Sequence, residues 1–350
     1  MENVQISIIV PVYNVEDYIV KMAKSLVLQE FDEVLGGFEV ILVDDGCLDK
    51  SIEVAVDILQ GIDVTVLKQA NTGPGGARNS GIRAAKGEYL MFVDSDDFLL
   101  EGSLQKIFQL IKSQNPVIIF GRYLRWTENV GFLDNPPKLG ENLQSDELEM
   151  STEKTSPITI EYILDVFPEL SWNSAWRYIC KREFILQNSL FFNDTMYCED
   201  MKWVLEILQT AENQAVKFSF LQQPFYVYNY RRPNSIMNAH SPKRLIDLNI
   251  IMEEFLQIHC KRPKICRKLI WQSFYYINEY CQFDKNNRKL IFCQYKKVLP
   301  FYKLSEHFVY TLAGKMNAPP LFYLLSVVLA IIKNVRRALI GLRGTNTTPR

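Results

Sequence analysis

Three carboxylates stand within four positions at Val93-Asp94-Ser95-Asp96-Asp97, directly after an apolar run. Like charges that close repel one another and are costly near a core unless something neutralises them. Mg2+ or Mn2+ resolves this, because either cation takes oxygen ligands and bridges one or two carboxylates to a diphosphate. The same residues also suit a solvated acidic turn in which Asp96 or Asp97 caps a helix near Leu99-Leu100-Glu101. Their place after a buried strand favours the metal. Asp44-Asp45-Gly46 ends another apolar run. Carboxylates there can accept an N–H from a nucleobase, and the same residues suit a turn with Asp49 capping a helix near Ser51.

Asn71-Thr72-Gly73-Pro74-Gly75-Gly76-Ala77-Arg78-Asn79 first suggests a dinucleotide loop. GxGxxG counted from Gly73 would need glycine where Arg78 stands, which disfavours NAD. A Gly-rich turn opening a helix still offers backbone N–H groups to phosphate, and Arg78 adds a forked cation. Further along, Glu199-Asp200 opens an apolar helix (Trp203, Val204, Ile207, Leu208). A carboxylate there serves either as a cap or as a general base facing an acceptor hydroxyl. Trp172, Asn173 and Trp176 suit sugar stacking and hydrogen bonding, or burial as core aromatics.

These residues need a frame. Short apolar runs at 6–10, 39–43, 63–68 and 88–93 read as strands buried on both faces. Helical spacing lies between them: Tyr18, Met22, Leu26 and Gln29; Ile52, Val56 and Leu59; a stretch after Gly76; then Leu104, Phe108 and Ile111. Alternating β and α predicts a mostly parallel, Rossmann-like sheet flanked by helices, with ligands at the carboxyl ends of the strands. Pro11, Asp44, Asp45, Asp94 and Asp96 fall there. Residues 127–157 are polar and read as an insertion or solvated loop. From 158 the pattern turns helical with interruptions, and from 243 it is almost wholly helical.

The 350-residue chain is 48% hydrophobic and 23% charged, which excludes disordered, collagen-like and coiled-coil classes. Seven cysteines form no CxxC pair and suggest a reducing compartment, and three histidines make a His-built zinc site a poor expectation. The first residues lack a basic n-region, so no signal peptide is expected. A net charge of −1 hides an asymmetry: −9 over residues 1–120, −5 over 121–240 and +13 over 241–350.

Taken together, these motifs resemble the inverting glycosyltransferases of family 2, with the GT-A fold, of the bacterial capsular and exopolysaccharide type. The matching segments are Ile9 to Asn14, Val43 to Gly46, Asn71 to Asn79, Val93 to Asp97, Ser171 to Arg177, Cys198 to Lys202 and Tyr226 to Ile236. The chain departs from the family pattern at Cys47, where serine is usual, and at Ser174, where the Trp-Asn-Lys pattern has lysine. The resemblance implies that Pro11, Tyr13, Asp44, Asp45, Asn71, Arg78 and Asp94 hold a nucleotide-sugar, UDP-linked by expectation. It implies Mn2+ or Mg2+ on Asp94 and Asp96, with Asp97 beside them. Arg78 would help neutralise the leaving diphosphate, and Asp200 would be the base with Glu199 as its neighbour.

The expected organisation is a GT-A domain over residues 1–240 and a helical, basic region over 241–350. Residues 316–332 are 17 uncharged positions, and 333–350 carry five basic residues and no acid. A short apolar helix with a cationic end suits an anionic membrane face, or a core helix with a solvated end. The reading is therefore a cytoplasmic enzyme, peripheral on the inner membrane face, that extends a glycan or lipid-linked oligosaccharide. No nucleic-acid partner is expected. The rivals are a catalytically silent sugar-binding scaffold and, ranked lower, a nucleotidyltransferase. The latter would need a Lys-containing Gly-rich loop where Val12-Tyr13-Asn14 stands.

Overall fold

The computed structural model describes residues 4–29, 37–133, 174–230 and 241–259, with isolated positions between 159 and 163 and between 262 and 293. In chain order these form β1 (Val4–Val12), α1 (Ile19–Val27), β2 (Gly37–Asp44), α2 (Ser51–Ile58), β3 (Asp63–Lys68) and α3 (Gly73–Ala84). Then come β4 (Tyr89–Phe92), β5 (Phe98–Leu99), α4 (Ser103–Gln114), β6 (Ile118–Thr127), β7 (Gly131–Phe132) and a 3-10 turn (Ala175–Arg177). β8 (Tyr178–Lys181), α5 (Arg182–Gln187), α6 (Glu199–Asn213), β9 (Phe218–Asn229) and α7 (Pro242–Ile258) complete the described elements.

Nine strands among the described residues join one sheet in the order β3-β2-β1-β4-β8-β6-β9-β5, with β7 on β6. The first four are parallel, as the βα alternation predicts. Beyond β4 the sheet is mixed: β8 is antiparallel to β4 and to β6, while β6 and β9 run parallel. β1, β2 and β4 are buried along almost their whole length. α1 faces the sheet with Ile19, Met22, Ala23 and Leu26, spaced three to four apart as a helical stripe requires. On α3, a Cβ at Gly81 would lie 2.3 Å from Ile9 Cγ2, so glycine is what lets this helix lie so close to β1.

Two expectations change. The run at 63–68 is the sheet edge, paired only with β2 among the described residues, and half of it faces outward rather than being buried on both faces. The helical reading after 158 missed β8 and the 12-residue β9. Gln222-Gln223-Pro224 interrupts β9's apolar pattern, and the β6–β9 register shifts near Arg122 and Pro224. A strand broken by a bulge loses its period in sequence.

The chain divides into two compact units, Met1–Thr195 with Glu199–Ser235, and Met196–Cys198 with Ile236–Arg350. In the second, Asp247 on α7 accepts the Tyr197 N–H at 2.9 Å. No helix among the described residues is long and apolar enough to cross a membrane. The 316–332 segment and most of the 127–157 loop lie outside the described residues.

Candidate active site

At the carboxyl ends of β1 and β2, Pro11 pairs with Val43 and Val12 with Asp44, and Tyr13 beyond them is 45% exposed. Asp44 Oδ1 accepts the N–H groups of Gly46 (3.1 Å) and Cys47 (2.7 Å). Burial pushes the Asp44 carboxyl up, but these amides and Lys68 outweigh it and hold it below the ordinary range. Asp45 reaches into the Gly-rich loop. Its Oδ1 accepts from Thr72 N (2.9 Å) and Gln69 Nε2 (2.8 Å), and its Oδ2 from Gly73 N (2.9 Å). Asp45 thus satisfies amides at the start of α3 that the helix itself leaves orphaned. Asn71 Oδ1 also accepts the Gly73 N–H, at 3.2 Å. The N-cap of α2 is Lys50 rather than the expected Asp49, but Asp49, one residue before it, accepts the Ser51 N–H at 3.1 Å. At Cys47, Sγ donates to Val12 O at 3.4 Å, and burial pushes the thiol up to about 12, so it stays protonated.

A second group gathers around Arg78 on α3, whose side chain is 4% exposed. Its Nη1 donates to Asp200 Oδ1 (2.7 Å) and Glu199 Oε1 (3.0 Å), and its Nη2 to Asp94 Oδ1 (2.8 Å). The sequence reading put this guanidinium on a diphosphate; the structure engages it with three carboxylates. Local chemistry explains how they meet. Asp94 follows β4, whereas Glu199 and Asp200 open α6, where the positive end of the helix dipole favours acids. Asn79 clasps the backbone of Phe192 with two hydrogen bonds of 2.8 Å, pinning the segment that leads to α6. A Cβ at Gly75 would come within 3.0 Å of Glu199 Cγ, so glycine there leaves room for the acid.

One guanidinium offsets one of these three negative charges. Burial, with Asp200 adding to it and Arg78 opposing, pushes Glu199 up to about 7. Burial raises Asp200 as well; Arg78 opposes this, Asp94 adds to it, and a 3.2 Å hydrogen bond from Ala175 N opposes it. A carboxyl raised toward neutrality is a better proton acceptor than an ordinary one.

Asp97 differs from its neighbours. It is fully buried, its Oδ2 accepts from Tyr226 Oη at 2.7 Å, and its Oδ1 accepts the Asn229 N–H at 2.7 Å. The expectation that Asp97 flanks a metal, or caps a helix, is therefore revised. Its carboxylate is turned into the fold, and α4 begins at Ser103 after Gly102 with no side-chain cap. Tyr226 Oη also accepts the Asp94 N–H at 3.1 Å. Burial, then Asp97 and Asp94, push the Tyr226 phenol well above its ordinary value, so it remains a donor. Trp176 is 5% exposed and stacks on Tyr226 at 4.3 Å, which favours the core reading of that residue; Trp172 and Asn173 lie outside the described residues. The Tyr226 hydroxyl and the Asn79 clasp were not singled out from sequence. Both sit inside segments that were, but a tyrosine in a strand says nothing of where its hydroxyl goes.

For a divalent cation, the hard oxygens of Asp94 and Asp96 fit, and the excess of negative charge is what a cation offsets. No cluster of three or more metal-capable side chains occurs among the described residues. Mg2+ and Mn2+ in general bind through one or two carboxylates plus substrate phosphates rather than in an all-protein cage.

Residues 7–160 match the family model described as "Glycosyl transferase family 2". They belong to glycosyltransferase family 2. The family 2 segment contains most of β1, all of β2 to β7 and every candidate residue from Pro11 to Asp97, whereas Glu199, Asp200 and Tyr226 come from chain beyond it. Among curated relatives, an uncharacterized glycosyltransferase, EpsJ of Bacillus subtilis, is 32% identical over 234 residues, covering 66% of this chain and 62% of that protein. Glycosyltransferase GlyG of Streptococcus pneumoniae is 36% identical over 128 residues, 36% of this chain and 41% of that protein. The chain thus spans less than two thirds of the length of these relatives. Among solved structures, S. aureus TarS 1–349 in complex with UDP-GlcNAc superposes with a TM-score of 0.69 at 19% identity, covering 91% of this chain and 89% of that one. The likeness establishes the fold and meets the GT-A expectation.

Proposed function

We propose that this chain is an inverting glycosyltransferase that moves a sugar from a UDP-sugar to a growing surface glycan. One observation carries the reading: Arg78 holds Asp94, at the donor end of β4, and Asp200, at the head of α6, on one guanidinium. The UDP-GlcNAc bound to TarS supports a UDP-linked donor. In this reading Pro11, Tyr13, Asp44, Asp45 and Asn71 form the nucleotide end. Asp94 and Asp96 would hold Mn2+ or Mg2+, which when bound supplies charge neutralisation at the leaving diphosphate. Asp200 accepts the proton of the acceptor hydroxyl. The acceptor oxygen bonds to the anomeric carbon from the face opposite the departing diphosphate oxygen, inverting the centre. Arg78 holds Asp200 in place, and Glu199 shares its charge.

Residues 1–240 would carry this chemistry. The basic 241–350 region would bring the enzyme to an anionic membrane carrying a lipid-linked acceptor, supported by its +13 charge and the apolar 316–332 segment. Nucleotide release from UDP-Glc, UDP-Gal, UDP-GlcNAc, UDP-GalNAc and GDP-Man, with and without Mn2+, tests the activity beside Asp96→Ala and Asp200→Ala. Metal-dependent release from one donor, lost in both variants, is expected; no release from any donor together with no UDP binding in the presence of Mn2+ would favour the scaffold reading. Flotation of the chain with anionic vesicles, against a 1–315 truncation, tests the membrane contact, and equal behaviour would sink it.

A further inference from the structure

We propose that Tyr226 is a positioning residue: through one hydroxyl it sets the Asp94–Asp97 turn, and through its ring it ties that turn to the segment that holds Asp200. The inference rests on the donor reading above and extends it to a residue that touches no substrate in that scheme.

A buried tyrosine hydroxyl needs hydrogen-bond partners, and which partners it takes decides what it can position. Tyr226 makes two bonds, and both go to the same turn: Oη donates to Asp97 Oδ2 at 2.7 Å and accepts the Asp94 N–H at 3.1 Å. The turn is closed on itself by Asp97 N to Asp94 O at 3.0 Å, and Asn229, also on β9, takes the other Asp97 oxygen. β9 therefore dictates the backbone course on which Asp94 and Asp96 ride.

The ring does the second task. It stacks on Trp176, with centroids 4.3 Å apart and ring planes 5° from parallel, and Tyr123 meets Trp176 edge-on at 4.9 Å. Ala175, next to Trp176 on the same 3-10 turn, donates its N–H to Asp200 Oδ2. Asp94 and Asp200 are thus held twice, by Arg78 through their carboxylates and by the Tyr226–Trp176 stack through their surroundings. Two independent holds fix a separation that one flexible ion pair would leave soft.

The test uses the full chain and compares Tyr226→Phe with Tyr89→Phe. Tyr89 is an equally buried tyrosine whose hydroxyl bonds Pro116 O at 2.7 Å and Asn115 Oδ1 at 3.3 Å, away from the Arg78 cluster. Both variants keep the ring and lose a buried hydroxyl, so a purely structural effect moves their melting temperatures alike. Calorimetric titration with UDP in the presence of Mn2+ is the readout. Tyr226→Phe is expected to weaken UDP affinity by about tenfold, the scale of one hydrogen bond lost from a buried site, and Tyr89→Phe to leave it within about twofold. UDP affinity unchanged in Tyr226→Phe, or lowered equally in both variants, overturns the positioning role while the donor reading stands. A parent chain that binds none of UDP, GDP or TDP overturns the donor reading and the inference with it. Should Tyr226→Phe fold poorly, Trp176→Phe keeps an aromatic against Tyr226 and is expected to lower kcat more than it raises donor KM.

Discussion

The carboxylates after β2 and those around Arg78 are satisfied in opposite ways. Asp44 and Asp45 are paired chiefly by backbone amides of turns beside them, and Asp44 is held in its charged form. Asp94, Glu199 and Asp200 are paired by one side chain, across separations of 16 to 122 residues, and Glu199 and Asp200 are pushed toward their neutral forms. The first group is a finished cradle that needs no further charge. The second is electrostatically incomplete and gains from a cation, a proton or a changing substrate charge. That division suits nucleotide holding at one strand end and proton transfer at the other.

Asp200→Asn should break the comparison most sharply. It keeps the shape and removes the proposed base, so kcat should fall by about 10²–10⁴ while UDP affinity holds; an unaffected kcat would move the base elsewhere. Arg78→Met comes next. It leaves buried carboxylates without their cation and should cost about 3–5 kcal/mol in urea unfolding, whereas a loss below about 1 kcal/mol would mean the cluster relaxes freely. Asp45→Ala tests the other region. Losing the acceptor for the Thr72 and Gly73 amides should cost about 1–2 kcal/mol and weaken UDP affinity without changing kcat.

The smallest effect concerns pH. Because the Glu199 carboxyl is raised from 4.5 to about 7, the folded chain binds more protons than the unfolded one between those values. Its contribution to stability is complete below the lower value and is lost as pH rises through about 7. Glu199→Gln should flatten that decline in the melting temperature between about pH 4 and 8, a range that brackets the two. An identical slope in parent and variant would remove Glu199 from the charge balance.

Much of this was legible in advance. β1, β2 and β4 announced themselves as short β-branched runs, and the acids at their ends fell where a parallel sheet binds ligands. The DxDD stretch shows the limit. Sequence treats Asp94, Asp96 and Asp97 as equivalent carboxylates, yet Asp97 is fully buried under Tyr226 and Asn229 while Asp94 faces Arg78. The distinction depends on β9, the strand whose bulged pattern hid it.

By itself the sequence determined what local rules control: the βα alternation, the Gly-rich opening of α3, the acidic start of α6 and the family to which residues 7–160 belong. Strand period, glycine's freedom and helix-end charge are set within a few residues, so they can be read along the chain. Tertiary structure decided who neutralises whom. Arg78, poised by sequence for a phosphate, is claimed by Asp94, Glu199 and Asp200, because a buried cation takes the nearest anions the fold brings to it, whatever their distance in sequence.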